Sequence, residues 1–209
     1  MKQKPLQEFK PRTRSAAQNA SLEVVGIGRF NLVPVGEWIL NDSHLISELA
    51  RWRSANSEMF FSRFPESVEG MRHYLTTLSI GHPSYLLLVV FDNLGQALGH
   101  LGLKLVGHRV AEIDSVMKSP ECTISGLMDC CLKVLISFAV RVLNVKELQL
   151  EVISYNTRAI DLYSANGFEK FAMAPLHRIE VGDRIDHVKV QSHEANVDFF
   201  SLTMTRVIK

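Results

Sequence analysis

Hydrophobic and polar positions change their spacing several times along the chain, and each change predicts a secondary-structure element. The segment at residues 26–35 is short, rich in residues that favour strands, and bounded by glycine and proline, which predicts a first strand. Apolar residues three and four positions apart then predict two helices, with N-terminal caps near Asp42 and Ser67. Residues 85–91 are apolar throughout, which predicts a strand that is covered on both faces.

The second half of the chain alternates between strand and helix patterns. Residues 101–105 and 110–117 predict two strands that complete an antiparallel meander with the preceding one. Residues 123–143 are apolar on nearly every helical face, which predicts a long buried helix with Thr123 as a cap. A strand, a short helix, a strand with a hairpin and a final strand follow at residues 148–152, 156–166, 168–190 and 199–207. This order predicts an α/β fold with a single mixed, mostly antiparallel sheet flanked by helices.

The length and composition of the chain indicate one domain with nearly balanced charge. The chain has 209 residues, of which 46% are hydrophobic, enough for one substantial core. Residues 1–20 are polar and lack a hydrophobic period, so we predict a disordered tail before a domain at residues 21–209. The net charge of +1 gives no overall attraction to nucleic acid. No segment approaches the roughly 20 apolar residues of a membrane helix, so we expect neither nucleic acid nor membrane as a partner.

Cysteine usage bears on the compartment. Cys122, Cys130 and Cys131 are odd in number and do not have the spacing of a metal site, so we expect no bound metal. A reduced compartment is the simplest interpretation. The N-terminus lacks the continuous apolar run of a secretory signal. We therefore predict a cytoplasmic protein.

The most informative stretch is NTRAIDLYSANGF at residues 156–168. It resembles the N-x-x-A-x-x-L-Y-x-x-x-G-F signature of GNAT acetyltransferases, and it lies between two strands, as in that family. The resemblance extends over residues 26–207, because the meander and the long helix also follow the family order. It implies the GNAT fold, acetyl-CoA as co-substrate, and transfer of the acetyl group to a primary amine by direct attack.

The resemblance assigns catalytic roles to individual residues. It nominates Tyr163 as the acid, since a phenol near the sulfur can donate a proton as the CoA thiolate forms. As general base we choose Glu112 over Asp114, which shares its strand face; the alternative is that these carboxylates are solvated or paired with Arg109. The resemblance also implies that the cofactor lies against Val116, Met117, Asn156 and Ala159.

The phosphate-binding loop departs from the family pattern. The matching cofactor-binding residues are Thr123, Ile124, Ser125, Gly126 and Leu127. Thr123 stands where the family has glutamine or arginine, and Met128 replaces a small residue, which crowds the approach of phosphates. Glu121 adds an unfavourable charge that Lys118 partly offsets. Backbone N–H groups at the helix start remain available.

The acceptor amine is suggested by aromatic and basic residues in the N-terminal helices. The acceptor side of GNAT enzymes that acetylate nucleotide-linked amino sugars, and of those that modify ribosomal protein N-termini, is resembled by Trp52, Arg53, Phe60 and Phe61. Aromatic residues stack on sugars and bases, and arginine pairs with phosphate. The alternative for Trp52 and one phenylalanine is a place in the core.

Three functions remain open. They are a small-molecule N-acetyltransferase, with an amino sugar nucleotide as one candidate acceptor, a protein N-terminal or lysine acetyltransferase, and a non-catalytic acyl-CoA-binding module. Tyr163 argues against the third. A homodimer is left open.

Overall fold

The computed structural model describes residues 5–208, and strands and helices alternate along them. The strands are β1 (Leu22–Val24), β2 (Phe30–Pro34), β3 (Ser62–Arg63), β4 (Tyr85–Asp92), β5 (Ala97–Gly107), β6 (Val110–Lys118), β7 (Glu147–Ile153), β8 (Glu169–Val181), β9 (Arg184–Lys189) and β10 (Phe200–Val207). The helices are α1 (Arg14–Asn19), α2 (Ser43–Ala55), α3 (Val68–Tyr74), α4 (Leu127–Arg141) and α5 (Thr157–Ala165). A π-helical segment at Leu75–Ile80 continues α3.

The strands form one mixed sheet in the order β1-β2-β4-β5-β6-β7-β10-β8-β9-β3. Neighbouring strands run antiparallel except for β6 and β7, which are parallel. This confirms the predicted α/β fold with a mostly antiparallel sheet. The parallel pairing joins residues 110–112 to residues 147–149, and the register ends there. Beyond that point β6 and β7 separate, which positions the site described below.

The sheet is covered by helices on both faces. Leu86, Leu88 and Val90 of β4 belong to the same core cluster as the buried side chains of α4. The alternate residues Leu87 and Val89 pack with the buried residues of α2. The unbroken apolar run in β4 therefore arises because each of its faces meets a helix layer. No helix within residues 5–208 is long and apolar enough to span a bilayer.

Most helix ends follow the predicted cap chemistry. The Asp42 carboxylate accepts a hydrogen bond from the Leu45 amide at 3.0 Å, and the Ser67 hydroxyl accepts one from the Gly70 amide at 2.9 Å. Thr123 does not cap the long helix, because α4 begins at Leu127 and its cap position is Gly126. The prediction placed that helix start too early.

The prediction of a disordered tail is wrong for residues 5–20. Leu6–Phe9 form a 3-10 turn and α1 follows it. The Leu6 side chain is fully buried in the core beside α4, and the Phe9 ring packs edge-on against Phe138 at 5.1 Å. The first four residues of that predicted tail lie outside the described part of the chain.

A basic side chain also attaches this segment to the body of the fold. The Lys10 ammonium donates to the backbone carbonyls of Ser79 at 2.7 Å and Ile80 at 3.0 Å. These carbonyls lie at the end of the π-helical segment, where the helix offers them no amide partner. The N-terminal segment therefore contributes to the core and caps a helix.

Leu6→Ala is expected to lower the free energy of unfolding by about 2–5 kcal/mol, because it removes a fully buried side chain and leaves a cavity. Denaturant unfolding followed by circular dichroism measures the change. Gln7→Ala, an exposed neighbour in the same turn, serves as the control and should leave the midpoint unchanged. Equal midpoints for the two variants would mean that the segment does not contribute to the core.

Candidate active site

A cleft of about 700 Å³ opens where β6 and β7 separate. One wall is the end of β6, and the other is formed by the end of β7 and the start of α5. The start of α4 and a segment between α2 and α3, including Phe60 and Phe61, also contribute to the lining. The cleft thus connects a helix N-terminus with an aromatic surface.

The β6 wall is interrupted by a bulge. Asp114 pairs with Gly102 and Met117 pairs with His100, so two residues of β6 lie opposite one residue of β5. Ser115 has a positive φ of 51°, which is uncommon for a residue with a side chain. Ser115 and Val116 have no register partner on β5 or β7. Val116 and Met117, predicted to contact the cofactor, lie in the cleft wall at this bulge.

Tyr163 faces the cleft from α5. Its side chain is buried, and its ring contacts Phe168 edge-on at a centroid distance of 6.0 Å. Burial raises the pKa of the Tyr163 hydroxyl, and the negative charge of Asp114 adds to the effect. The phenol therefore stays protonated at neutral pH and can donate a proton.

Two carboxylates of β6 lie in the same wall. The Glu112 carboxylate is half-buried and accepts a hydrogen bond from the Gln149 amide at 3.3 Å. Burial raises the pKa of Glu112, the hydrogen bond from Gln149 opposes the rise, and the charge of Asp114 adds to it. Asp114 accepts from the Ser115 amide at 2.6 Å. A raised pKa makes Glu112 a stronger base than an exposed glutamate.

The start of α4 forms the end of the cleft suited to phosphate. Gly126 has a φ of 73°, and no side chain caps the helix, so its first amides are available to a ligand. Ile124, Gly126 and Leu127 line the cleft as predicted for the cofactor loop. Thr123 and Ser125 are exposed and lie outside the lining, so these two predicted positions are not brought to the site.

The two unfavourable features of this loop have structural solutions. Met128 belongs to the core, where its sulfur would lie 3.3 Å from a Cβ at Gly99. Its side chain therefore packs largely inward, and Met128 also contributes to the cleft lining. Arg51 donates to both oxygens of Glu121 and lowers the pKa of that carboxyl to about 2, with a further bond from Ser119. The expectation that Lys118 offsets Glu121 is wrong, because Arg51 does so.

The acceptor end of the cleft is covered by the segment between α2 and α3. The Tyr155 hydroxyl donates to the Glu58 carbonyl at 2.6 Å, and the Arg63 guanidinium donates to the same hydroxyl. Strand β3, which contains Arg63, pairs with β9. The segment that carries Phe60 and Phe61 is therefore attached to the far side of the cleft.

Trp52 and Arg53 do not line the cleft. Trp52 is 1% exposed and stacks on His100 at 6.4 Å, so its predicted role in binding substrate is wrong and it is a core residue. The Arg53 guanidinium lies 3.8 Å from the Phe60 ring centroid and donates to the Ser62 carbonyl at 2.6 Å. Arg53 thus supports the segment that presents Phe60.

Several cleft residues were missed by the sequence analysis. Arg158 lines the cleft from the first turn of α5, and Lys118 lines it at the end of β6. Tyr155 and Glu151 line it from the other wall. Arg158 and Tyr155 lie within two positions of Asn156, which caps α5 and also lines the cleft with Ala159. Their position beside the signature was a signal that could have identified them.

Comparisons with known proteins agree with this architecture. The acetyltransferase (GNAT) family model matches residues 48–168. No curated protein matches the sequence.

Solved structures share the fold at low identity. A spermidine N-acetyltransferase from Vibrio cholerae in complex with CoA and spermine is 18% identical, with a TM-score of 0.60 over 85% of this chain and 95% of that chain. A probable GNAT-family acetyltransferase from Chromobacterium violaceum is 18% identical, with a TM-score of 0.66 over 88% of this chain and 85% of that chain. A putative phosphinothricin N-acetyltransferase is 16% identical, with a TM-score of 0.56 over 80% of this chain and 93% of that chain.

Proposed function

Because this chain belongs to the GNAT acetyltransferase family and is an acetyl-CoA-dependent N-acetyltransferase, we propose that it acetylates a small cationic amine by direct attack. The observation that carries the proposal is the covered acceptor end of the cleft, where Tyr155 bonds the carbonyl of Glu58. Such a cover suits a compact acceptor. Carboxylates in the same cleft suit a positively charged one.

The cleft residues fit acetyl-CoA. We assign the pyrophosphate to the uncapped N-terminus of α4, because backbone amides and the helix dipole favour anions there. Lys118 and Arg158 add positive charge to the lining. We assign the pantetheine arm to the gap between β6 and β7, beside Asn156 and Ala159.

The proposed chemistry uses two groups of the chain. The amine nitrogen attacks the thioester carbonyl, so that a C–N bond forms and the C–S bond breaks. Glu112 accepts the proton that the ammonium form of the acceptor must lose before its nitrogen can attack. Tyr163 donates its proton to the departing sulfur, and the phenolate that remains takes up the second proton, which the nitrogen loses as the amide forms. The raised pKa of Glu112 makes it a stronger base, and the raised pKa of Tyr163 keeps the phenol protonated until the thiolate forms beside it.

The charge of the cleft supports a cationic acceptor. Glu112, Asp114 and Glu151 line the cleft, and Lys189 bonds Glu151 from β9. The positive residues Lys118 and Arg158 also line the cleft, and the Lys118 ammonium lies 3.4 Å from the Ile124 carbonyl at the proposed phosphate end. A structure with the same fold is a spermidine N-acetyltransferase, whose acceptor is a cationic amine. Diamines and polyamines are therefore the first acceptors to test.

The other candidate acceptors have less support. The amino sugar nucleotide depended on Trp52, Arg53, Phe60 and Phe61. Phe60 and Phe61 line the cleft, but Trp52 is in the core and Arg53 is engaged with Phe60. A protein acceptor needs an open groove, whereas Tyr155 and the segment around Glu58 cover this end. A non-catalytic module would not need Tyr163 in the lining.

Location and assembly remain proposals. Cys122, Cys130 and Cys131 are free thiols, which supports a reducing compartment such as the cytoplasm. A homodimer stays a prediction.

Release of CoA thiol from acetyl-CoA tests the acceptor class directly. The panel contains diamines and polyamines, a nucleotide-linked amino sugar, and peptides with a free N-terminus or a lysine. We expect turnover with the diamines or polyamines. Turnover with peptides or the sugar nucleotide alone would contradict the proposal.

Arg158→Ala is expected to weaken CoA binding by about threefold to tenfold, since it removes one charge-assisted contact with phosphate. Isothermal titration calorimetry at two salt concentrations measures the loss, which should shrink at high salt. Arg141→Ala, at the exposed far end of α4, is the matched control. Equal CoA affinity for the two variants would remove Arg158 from the phosphate site.

Gly126 is less suitable than Arg158 for a test of phosphate binding. Its φ of 73° strains any residue with a side chain, although a Cβ there would meet nothing within 4 Å. Gly126→Val would therefore disturb the start of α4 as well as the approach of phosphate.

A further inference from the structure

The bulge at Ser115 is held by side chains that the proposed chemistry does not use. Ser115 is a non-glycine residue with positive φ, a strained conformation that persists when its surroundings enforce it. The Tyr85 hydroxyl donates to the Ser115 hydroxyl at 3.1 Å. The Tyr85 hydroxyl also lies 3.0 Å from that of Tyr74, and the Tyr74 and Ser115 hydroxyls lie 3.5 Å apart. Three hydroxyls thus converge at the bulge.

The backbone of β5 makes room for this contact. A Cβ placed on Gly102 would lie 2.5 Å from the Tyr85 hydroxyl oxygen, so a side chain there would displace the phenol. Gly102 pairs with Asp114, immediately before Ser115. The missing side chain at Gly102 therefore lets Tyr85 reach from β4 beneath β5 to the bulge in β6.

The hydroxyl cluster is partly buried and neutral, with Tyr85 its most buried member. Burial raises the pKa of Tyr74 and raises that of Tyr85 still further, so both phenols remain protonated donors at neutral pH. Charged groups that act on Tyr74 include Asp114, whose charge raises its pKa, and Arg53, whose charge lowers it. Because Tyr74 belongs to α3, the cluster also connects that helix to β6.

The bulge in turn determines what the cleft wall presents. Ser115 and Val116 lie outside both ladders, since β5 pairing skips them and β7 pairing ends at Glu112. The Ser115 amide donates to Asp114 and the Ser115 backbone also bonds His100, so the Val116 backbone is the part of the bulge that is available to a ligand. A carbonyl that gains negative charge during acyl transfer is stabilised by amide donors held in place in advance.

We propose that Tyr85, supported by Tyr74, is a positioning residue that holds the Ser115 bulge so that the backbone amide of Val116 binds the thioester carbonyl of acetyl-CoA. The inference rests on the proposed placement of acetyl-CoA and is independent of which amine is the acceptor. Tyr85 does not touch the reacting atoms and acts through Ser115.

The test uses the carbonyl itself as the probe. The ¹³C chemical shift of [1-¹³C]acetyl-CoA bound to the full chain reports hydrogen bonding to the thioester oxygen, and calorimetry gives the affinities for acetyl-CoA and CoA. In Tyr85→Phe we expect the bound resonance to move toward the free value. The preference for acetyl-CoA over CoA should fall by up to about tenfold, as for loss of one hydrogen bond. The affinity for CoA should stay unchanged.

Further variants separate positioning from packing. Ser115→Ala should reproduce the shift, and Tyr85→Phe combined with Ser115→Ala should add nothing, because both remove the same interaction. Tyr74→Phe should move the resonance less in the same direction. Ser79→Ala removes another buried hydroxyl, outside the cluster, and should leave the resonance unchanged.

Two results would overturn the inference. One is a bound carbonyl resonance that is identical in wild type and Tyr85→Phe while CoA binds normally. The other is a loss of preference for acetyl-CoA over CoA in the double variant that equals the product of the losses in the two single variants. A wild-type chain that binds neither CoA nor acetyl-CoA would instead refute the placement of the cofactor, and this inference with it.

Discussion

Tyr163→Phe is expected to lower turnover by about tenfold to a thousandfold and to leave acetyl-CoA affinity nearly intact. The substitution keeps the ring that packs against Phe168 and removes the hydroxyl that faces the cleft. A proton donor to the departing sulfur matters most in the transition state, so the loss falls on kcat. Steady-state kinetics and calorimetry together measure it.

Tyr155→Phe makes the same chemical change at the acceptor end. It removes the hydroxyl that bonds the Glu58 carbonyl, so we expect a higher KM for the amine and a smaller change in kcat. A folded Tyr163→Phe protein that binds acetyl-CoA and turns over at the wild-type rate would make Tyr163 a packing residue.

Glu112→Gln is expected to lower kcat/KM by about a hundredfold to ten-thousandfold and to abolish the part of the activity loss at acid pH that comes from Glu112, leaving the part that comes from protonation of the amine. A general base must be ionised, so wild-type activity falls as pH drops through the pKa of Glu112. Burial raises that pKa, so the fall begins at a higher pH than an exposed glutamate would give. The pH dependence of kcat/KM in the free enzyme measures it.

Asp114→Asn is the matched comparison, because Asp114 lies on the same strand and its charge acts on Tyr163. Removing that charge should lower the pKa of Tyr163. The fall of kcat/KM at acid pH that comes from Glu112 should remain. An acid limb that disappears in Asp114→Asn and persists in Glu112→Gln would assign the base to Asp114.

Elements with local signals were predictable from the sequence. β4 is apolar on both faces because α4 and α2 cover it, and that requirement is visible as a continuous apolar run. The caps at Asp42 and Ser67 depend on residues three positions away in the chain, so their spacing is sufficient to locate them.

Elements defined by distant contacts were not predictable in the same way. Leu6 and Phe9 are two apolar residues in a polar stretch, and their burial depends on partners such as Phe138, more than a hundred positions away. Strand β3 has two residues, and its conformation depends on pairing with β9. On composition alone, the segment that contains Leu6 and Phe9 was predicted to be a disordered tail.

In the site, too, residues with a local sequence signal were predictable and residues defined by distant contacts were not. The signature located Tyr163 and Asn156 because the helix that carries them is continuous in sequence. Trp52 was misassigned because its helix has one face toward the core, and the sequence alone does not show which aromatic residue of this region reaches the cleft. Arg51 neutralises Glu121 across seventy positions, a contact that no local pattern predicts.

A single-turnover reaction tests the central claim most directly. Enzyme in excess over [1-¹³C]acetyl-CoA is mixed with the amine that gives turnover in the panel, and quenched samples are analysed by mass spectrometry. The account predicts that the label passes to the amine as CoA is released, without labelled protein at any time, and that Tyr163→Phe slows this step. Labelled protein that forms before the acetylated amine, or labelled acetate in place of that product, would contradict it.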